Sequence, residues 1–234
     1  MSESVPNTEE PTAQSEDLED MVRRVDPDRW LSSRFIGDAA ARADVVAIYA
    51  YDHELARAPK VASNALLGEI RLTWWREALE EIFEGRAVRA HPTAQALAVA
   101  VNRRGLPRGV LETMIDARYR ELDPSPMTQA ELLDWARDTA GLAAQLVAQI
   151  LDPATETKMA LAGGSAWALG RRLPENPELR PAFLKVIHAA RSASRGLSVP
   201  AFPAVAHAAL AGRPSKSDFA RRLRLTIAVA RGRI

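Results

Sequence analysis

The sequence predicts an all-α protein, a single-domain helical bundle, on three observations. Apolar residues recur at the 3.6-residue helical period along most of the chain. Pro and Gly stand mainly where those periodic segments must break. No stretch alternates polar and apolar residues for long enough to build a sheet, and no internal repeat of fixed period is visible.

Residues 1–18 lack periodic apolar positions and read as a disordered acidic tail, with a helical domain over 19–234. Order is expected to begin near Leu18–Val25. Asp38 is placed to cap a helix over Ala39–Arg57, and Pro59 limits its continuation. Along it Val45, Ile48, Tyr49, Asp52, Leu55 and Ala56 form one core-facing stripe with a polar residue inserted. Ser63 or Asn64 caps Leu66–Phe83, which Gly85 ends. There Leu67, Ile70, Trp74, Ala78, Leu79 and Ile82 follow the helical period opposite Glu77, Glu80, Glu81 and Glu84.

Helices are then expected over Pro92–Asn102 and Pro107–Leu122. Another spans Gln129–Leu151, opened by the capping box Thr128-x-x-Glu131. Pro153–Leu173, Glu178–Gly196, a short apolar piece near Ala201–Leu210 and Asp218–Arg231 complete one domain of about eight helices.

At 234 residues the chain is long enough to bury a substantial core, and 47% hydrophobic with 26% charged residues is ordinary globular composition. A net charge of +1 gives no global electrostatic case for nucleic acid. The charge is uneven, however. Residues 1–20 hold Glu3, Glu9, Glu10, Glu16, Asp17, Glu19 and Asp20 with no Lys or Arg, whereas residues 213–234 are rich in Arg. The absence of cysteine removes disulfides, thiolate metal sites and cysteine nucleophiles together. The acidic, Pro-containing start is unlike a signal peptide, and no apolar run approaches a membrane span. The expectation is a cytoplasmic protein, with room for peripheral attachment to the inner face of a membrane.

Several motifs keep their order and spacing over roughly residues 26–150. They are Asp28–Leu31, Ala47-Ile-Tyr-Ala-Tyr51, His53-Glu-Leu-Ala-Arg57, Gly68-Glu-Ile-Arg-Leu72, Trp74-Trp-Arg-Glu77, Ile115-Asp-Ala-Arg118 with Asp123, and Leu132-Leu-Asp-Trp-Ala136 followed by Thr139-Ala-Gly141. In these the chain resembles the squalene/phytoene synthase superfamily. The C-terminal half matches more weakly. His188-Ala-Ala-Arg-Ser192 and Pro200-Ala-Phe-Pro203 are similar to a branch related to a mitochondrial assembly factor for respiratory complex I. The resemblance implies the isoprenoid (terpenoid) synthase type of bundle, shortened in its C-terminal half.

Members of that superfamily ionise allylic diphosphates with two helices carrying Asp-x-x-x-Asp-type carboxylates that hold Mg²⁺. Such spacing sets both carboxylates on one helix face, and hard, octahedral Mg²⁺ requires oxygen ligands. By the resemblance, the first set belongs near Ala56, Arg57 and Lys60. The run Ala56-Arg-Ala-Pro-Lys60 instead offers two cations, which repel Mg²⁺. The second belongs on the helix between about Ala160 and Arg180, where Leu161–Arg172 has no acidic residue. No catalytic residue, metal ligand or cofactor is therefore assigned; Mg²⁺ would be required only if the chain were an active prenyltransferase.

Residues of a ligand pocket are Tyr49, Tyr51, Asp52, Arg71, Trp75, Arg76, Asp116 and Asp123. Asp116 and Asp123 stand seven apart on one expected helix, near Arg118 and Arg120. They are either a remnant diphosphate or metal site or a surface ion-pair set with Glu121. Glu69, Arg71 and Arg76 are placed to pair across a cavity with Glu54 or Asp116, and Trp74 and Trp75 serve as core or lid residues. His188 has no Ser or Cys partner and is assigned to core packing. Gly163-Gly164 lacks the strand a phosphate loop needs. In the last helix, Phe219, Leu223, Leu225, Ile227 and Val229 are interspersed with Arg221, Arg222 and Arg224. It either docks on anionic membrane or covers the core with a solvated basic face.

The resemblance thus implies a catalytically degenerate binding or assembly factor whose expected partners are a membrane respiratory complex and a lipid or prenyl ligand. An active head-to-head prenyltransferase and an isoprenoid carrier are the alternatives. No nucleic-acid partner is expected.

Overall fold

The computed structural model describes residues 13–60, 64–213 and 217–234, with side chains from residue 18 onward. Helix α1 (Ala13–Val25) begins inside the segment read as tail, because Leu18 and Val22, one turn apart, both reach the core. Residues 1–12, and with them the rest of the tail reading, lie outside the described residues, as does Ser63. Asp26 caps the short α2 (Pro27–Ser33) by accepting the Arg29 N–H at 3.3 Å.

The organising element is α3 (Ala39–Lys60), against which α1, α2, α4 (Ala65–Phe83), α5 (Pro92–Arg104), α6 (Arg108–Tyr119) and α8 (Leu142–Leu151) pack. Every residue from Asp44 to Asp52 is buried, so α3 is covered on all sides rather than along one stripe. Pro59 does not stop it: the helix takes the proline into its last turn and ends at Lys60. Asn64, with its Oδ1 3.0 Å from the Leu67 N–H, is the observed cap of α4.

Helix α4 departs from its expected register. Gly68, Leu72, Trp75, Ala78, Leu79 and Ile82 face the core, while Leu67 and Ile70 are exposed. The cause is Gly68: a Cβ there would lie 2.3 Å from Leu122 Cδ2, so this face is pressed onto the turn after α6. Leu66, Ile70 and Trp74, spaced by four, are rotated outward.

The segment read as one helix over Gln129–Leu151 is two. Helix α7 (Gln129–Ala136) opens with the Thr128–Glu131 capping box and α8 closes the run, but a π turn over Arg137–Gly141 joins them. Helix α9 (Leu161–Arg172) crosses that turn at very short range. A Cβ on Gly164 would stand 2.0 Å from the Ala140 carbonyl oxygen, which explains the Gly163-Gly164 pair as packing. Helix α10 (Arg180–Ala193) lies on α9. It buries Phe183 and Ile187 and leaves His188 exposed, correcting its assignment to the core.

The apolar piece at Ala201–Leu210 is a pair of 3₁₀ turns, almost wholly buried, on which the terminal helix α11 (Asp218–Arg231) rests. The described residues contain no strand, and none of their helices is long and apolar enough to cross a membrane.

Gly164→Ala should cost about 3 kcal/mol, because the added methyl meets backbone rather than a movable side chain. Gly109→Ala, in α6 with nothing within 4 Å of its Cβ, should stabilise by about 0.5 kcal/mol. Urea denaturation of both variants checks the contrast; equal effects would contradict the close α9 crossing.

Candidate functional site

Burying charge inside a helical protein is costly unless each ion is paired and hydrogen-bonded. Here the interior beside α3 holds a chain of such ions. Asp52 of α3 receives Arg29 Nη1 from α2 at 2.6 Å on one oxygen and Arg118 Nη2 from α6 at 2.6 Å on the other. Arg118 Nη1 continues to Glu121 at 2.7 Å, and Trp135 Nε1 of α7 donates to the same carboxylate at 2.9 Å. Arg172 of α9 approaches the other Glu121 oxygen at 3.7 Å. Arg29 and Arg118 are 2% and 4% exposed, so solvent does not screen the chain.

Aromatic faces complete the enclosure. The Arg29 guanidinium lies 4.1 Å from the Trp167 ring centroid and 5.2 Å from that of Tyr49, and Arg172 stands 4.7 Å over Trp135. His207, from the second 3₁₀ turn, sets its ring edge-on to Trp167 at 5.3 Å. Its two nitrogens, with Tyr49 Oη and Arg29 Nη2, are buried without a protein hydrogen bond among the described residues.

These contacts set the protonation states. Burial acts to raise the Asp52 carboxyl, but Arg29 and Arg118 outweigh it and hold it at about 2. Burial lowers His207 well below the ordinary imidazole range, and Arg29 nearby acts in the same direction. Burial pushes the Tyr49 and Tyr51 hydroxyls up, so both stay neutral.

The eight residues read as a ligand pocket do not meet in one place. Tyr49 and Asp52 belong to the buried ion chain. Tyr51 donates its hydroxyl to the Leu111 carbonyl at 3.0 Å and packs edge-on against Trp75. Arg76 and Asp116 pair with each other on the α4–α6 surface. Asp123 is not on the Asp116 helix. Helix α6 stops at Tyr119, a 3₁₀ turn follows, and Asp123 accepts the Ser125 N–H at 2.8 Å in an exposed turn. Glu54 pairs with Arg57 at 3.0 Å rather than across a cavity.

Arg71 and Trp75 do come together. With Trp74, Ile70, Arg57 and His91 they line an open groove of about 320 Å³ between α3, α4 and the start of α5. A second hollow of about 290 Å³ shares Ile70 and Trp74 and extends the groove along α4 past Leu66.

No group of three His, Cys, Asp or Glu among the described residues could hold a metal ion. Ala56, Arg57 and Lys60 end α3, and Asp52 already has a guanidinium on each oxygen. Arg29, Glu121, Trp135, Trp167 and His207 had no sequence signal as a unit. They come from separate segments of the chain, and only a buried carboxylate's need for partners could have hinted at them.

Asp52→Ala should lower stability by about 3–5 kcal/mol by leaving Arg29 and Arg118 buried and facing each other. Chemical denaturation reads this directly, and a loss below about 1 kcal/mol would refute the buried chain. The pH dependence has two windows. With its carboxyl near 2 against 3.8, Asp52 contributes stability that is full above about pH 4 and lost as pH falls through about 2. His207 resists the proton that the unfolded chain takes up near 6.5, so its neutral burial costs stability progressively below about pH 6.5. His207→Leu should therefore flatten the decline in Tm between about pH 6.5 and 5; an unchanged slope would contradict it.

Comparison with known proteins agrees with this architecture. The squalene/phytoene synthase family model matches residues 22–196. The human protein named NADH dehydrogenase (ubiquinone) complex I, assembly factor 6 is 28% identical over 133 residues, which is 56% of this chain and 39% of that protein. Its Bos taurus counterpart is 27% identical over the same extent. The chain thus spans well under half the length of these curated relatives in the matched region. Among solved structures, a dehydrosqualene synthase in complex with ligand superposes with a TM-score of 0.73 at 13% identity, covering 93% of this chain and 95% of that one. Squalene synthase HpnC from Alicyclobacillus acidocaldarius superposes at 0.68 with 14% identity, covering 94% of each. At those identities the superpositions speak for the fold alone, an all-α bundle of the isoprenoid synthase type. The family match, running through the central helix and the whole buried ion chain, identifies this chain as a member of the squalene/phytoene synthase family.

Proposed function

We propose that this chain is a catalytically degenerate member of its family that acts as a binding or assembly factor for a membrane respiratory complex, working at the membrane surface. The observation that carries the reading is the substitution of cations for carboxylates at the end of α3, Arg57 and Lys60, beside an Asp52 already neutralised by Arg29 and Arg118. A diphosphate-ionising site needs Mg²⁺ held by free carboxylates. The relatives named complex I assembly factor 6 support the choice of partner.

A lipid or prenyl ligand, the second part of the reading, is assigned to the groove beside Arg71, Trp74 and Trp75. The interior next to α3 offers it little room, since Trp75 and Trp167 are buried there at 4% and 7% exposure together with the ion chain. That packing also weighs against a carrier with a long internal cavity.

Two measurements test the proposal. The purified protein given farnesyl or geranylgeranyl diphosphate with Mg²⁺ should form no squalene- or phytoene-type product; turnover would establish the prenyltransferase alternative instead. Deleting the gene should lower assembled complex I and NADH-linked respiration. Unchanged respiration, together with no respiratory subunit recovered on the tagged protein, would remove the assembly reading.

A further inference from the structure

Helix α11 carries two apolar faces, and the fold uses one of them. Leu225 and Ala228 are buried at 0% and 5% exposure against the 3₁₀ turns of 206–210. Phe219, Leu223 and Ile227, each one turn from the next, point away from the protein at 74%, 48% and 41% exposure. A terminal helix that merely covered the core would turn these three inward and its arginines outward.

At 100° per residue, Arg222 falls on one side of the Phe219–Leu223–Ile227 stripe and Arg224 and Arg231 on the other. All three arginines are exposed, and none forms an ion pair with a described residue. Arg221, by contrast, points inward and bonds Asp28 of α2 at 3.0 Å, fixing how the helix is presented. The 14-residue helix, about 21 Å long, therefore offers a straight apolar ridge flanked by one arginine on one edge and two on the other.

We infer that the outer face of α11 is a docking surface for an anionic phospholipid bilayer, lying parallel to the membrane with Phe219, Leu223 and Ile227 in the acyl boundary. The three arginines then lie at headgroup depth, where lipid phosphates supply the negative charge the protein does not. A second copy of the chain is a poorer occupant. A two-fold contact through the ridge would bring the flanking arginines of both copies together without an acidic partner. This inference rests on the reading that the protein works at a membrane, and it names the surface and the lipid class.

The test is vesicle flotation of the full chain at low and high salt. Wild type should float with phosphatidylcholine–phosphatidylglycerol vesicles, not with phosphatidylcholine alone, and high salt should weaken binding. The triple variants F219S/L223S/I227S and R222E/R224E/R231E should each lose binding by roughly tenfold or more. Their circular dichroism should match wild type, because every altered side chain is exposed. Equal flotation with neutral vesicles, no flotation of wild type, or full binding by either folded variant would overturn the inference. So would a concentration-dependent dimer, seen without vesicles, that F219S/L223S/I227S abolishes. Binding by this face combined with normal respiration in the deletion strain would discard the assembly reading and leave the docking surface standing. Loss of respiration on deletion with no vesicle binding would do the reverse.

Discussion

Asp52 closes the stretch of α3, from Asp44 onward, that is buried on every side, and two arginines from distant segments close on it. A carboxylate buried this way is tolerable only while both oxygens are satisfied, which ties α2 and α6 to α3. The same requirement passes outward. Arg118 needs Glu121, and Glu121 draws in Trp135 of α7 and approaches Arg172 of α9. Removing any partner strands a charge, so the chain of ions holds five helices to one mutual arrangement. A hydrophobic replacement of the whole set could be as stable, but it would lack that geometric exclusivity.

The same arrangement reshapes the chemistry available to the family's fold. The central helix ends in Arg57 and Lys60, and its two buried acids, Asp44 and Asp52, are each held by two arginines. Arg29 lies between Tyr49 and Trp167, filling space with a cation bound to aromatic faces. What stays open is the exterior, a groove beside Trp74 and Arg71 and the ridge on α11. On the proposed reading, these surfaces are where the protein meets its partners.

Both surfaces arise because a helix carries more apolar residues than its buried face consumes. In α4, Gly68 takes the place in the contact that periodicity assigns to Leu67 and Ile70, since the absent side chain lets Leu122 approach. In α11, Leu225 and Ala228 are buried in the core and three large apolar residues remain outside. Exposed apolar rows of this kind, rimmed by charge, mark places where a protein meets something else.

The sequence by itself determined the helices, because period, caps and breakers are local: Asn64, the Thr128–Glu131 box and the extent of α11 stand as the residues predict. It also determined the family, and it put Arg57 and Lys60 where the resemblance expects carboxylates. It did not reveal the π turn at Arg137–Gly141 or the loss of Asp123 from the Asp116 helix. Those depend on how α9 presses on the chain and on where α6 ends. Nor did it reveal that Asp52, Arg29, Arg118, Glu121 and His207 share one interior. Tertiary structure alone decided that, because burial is a property of neighbours brought together from far along the chain. A charged residue's role is set by which partners remain when water is gone.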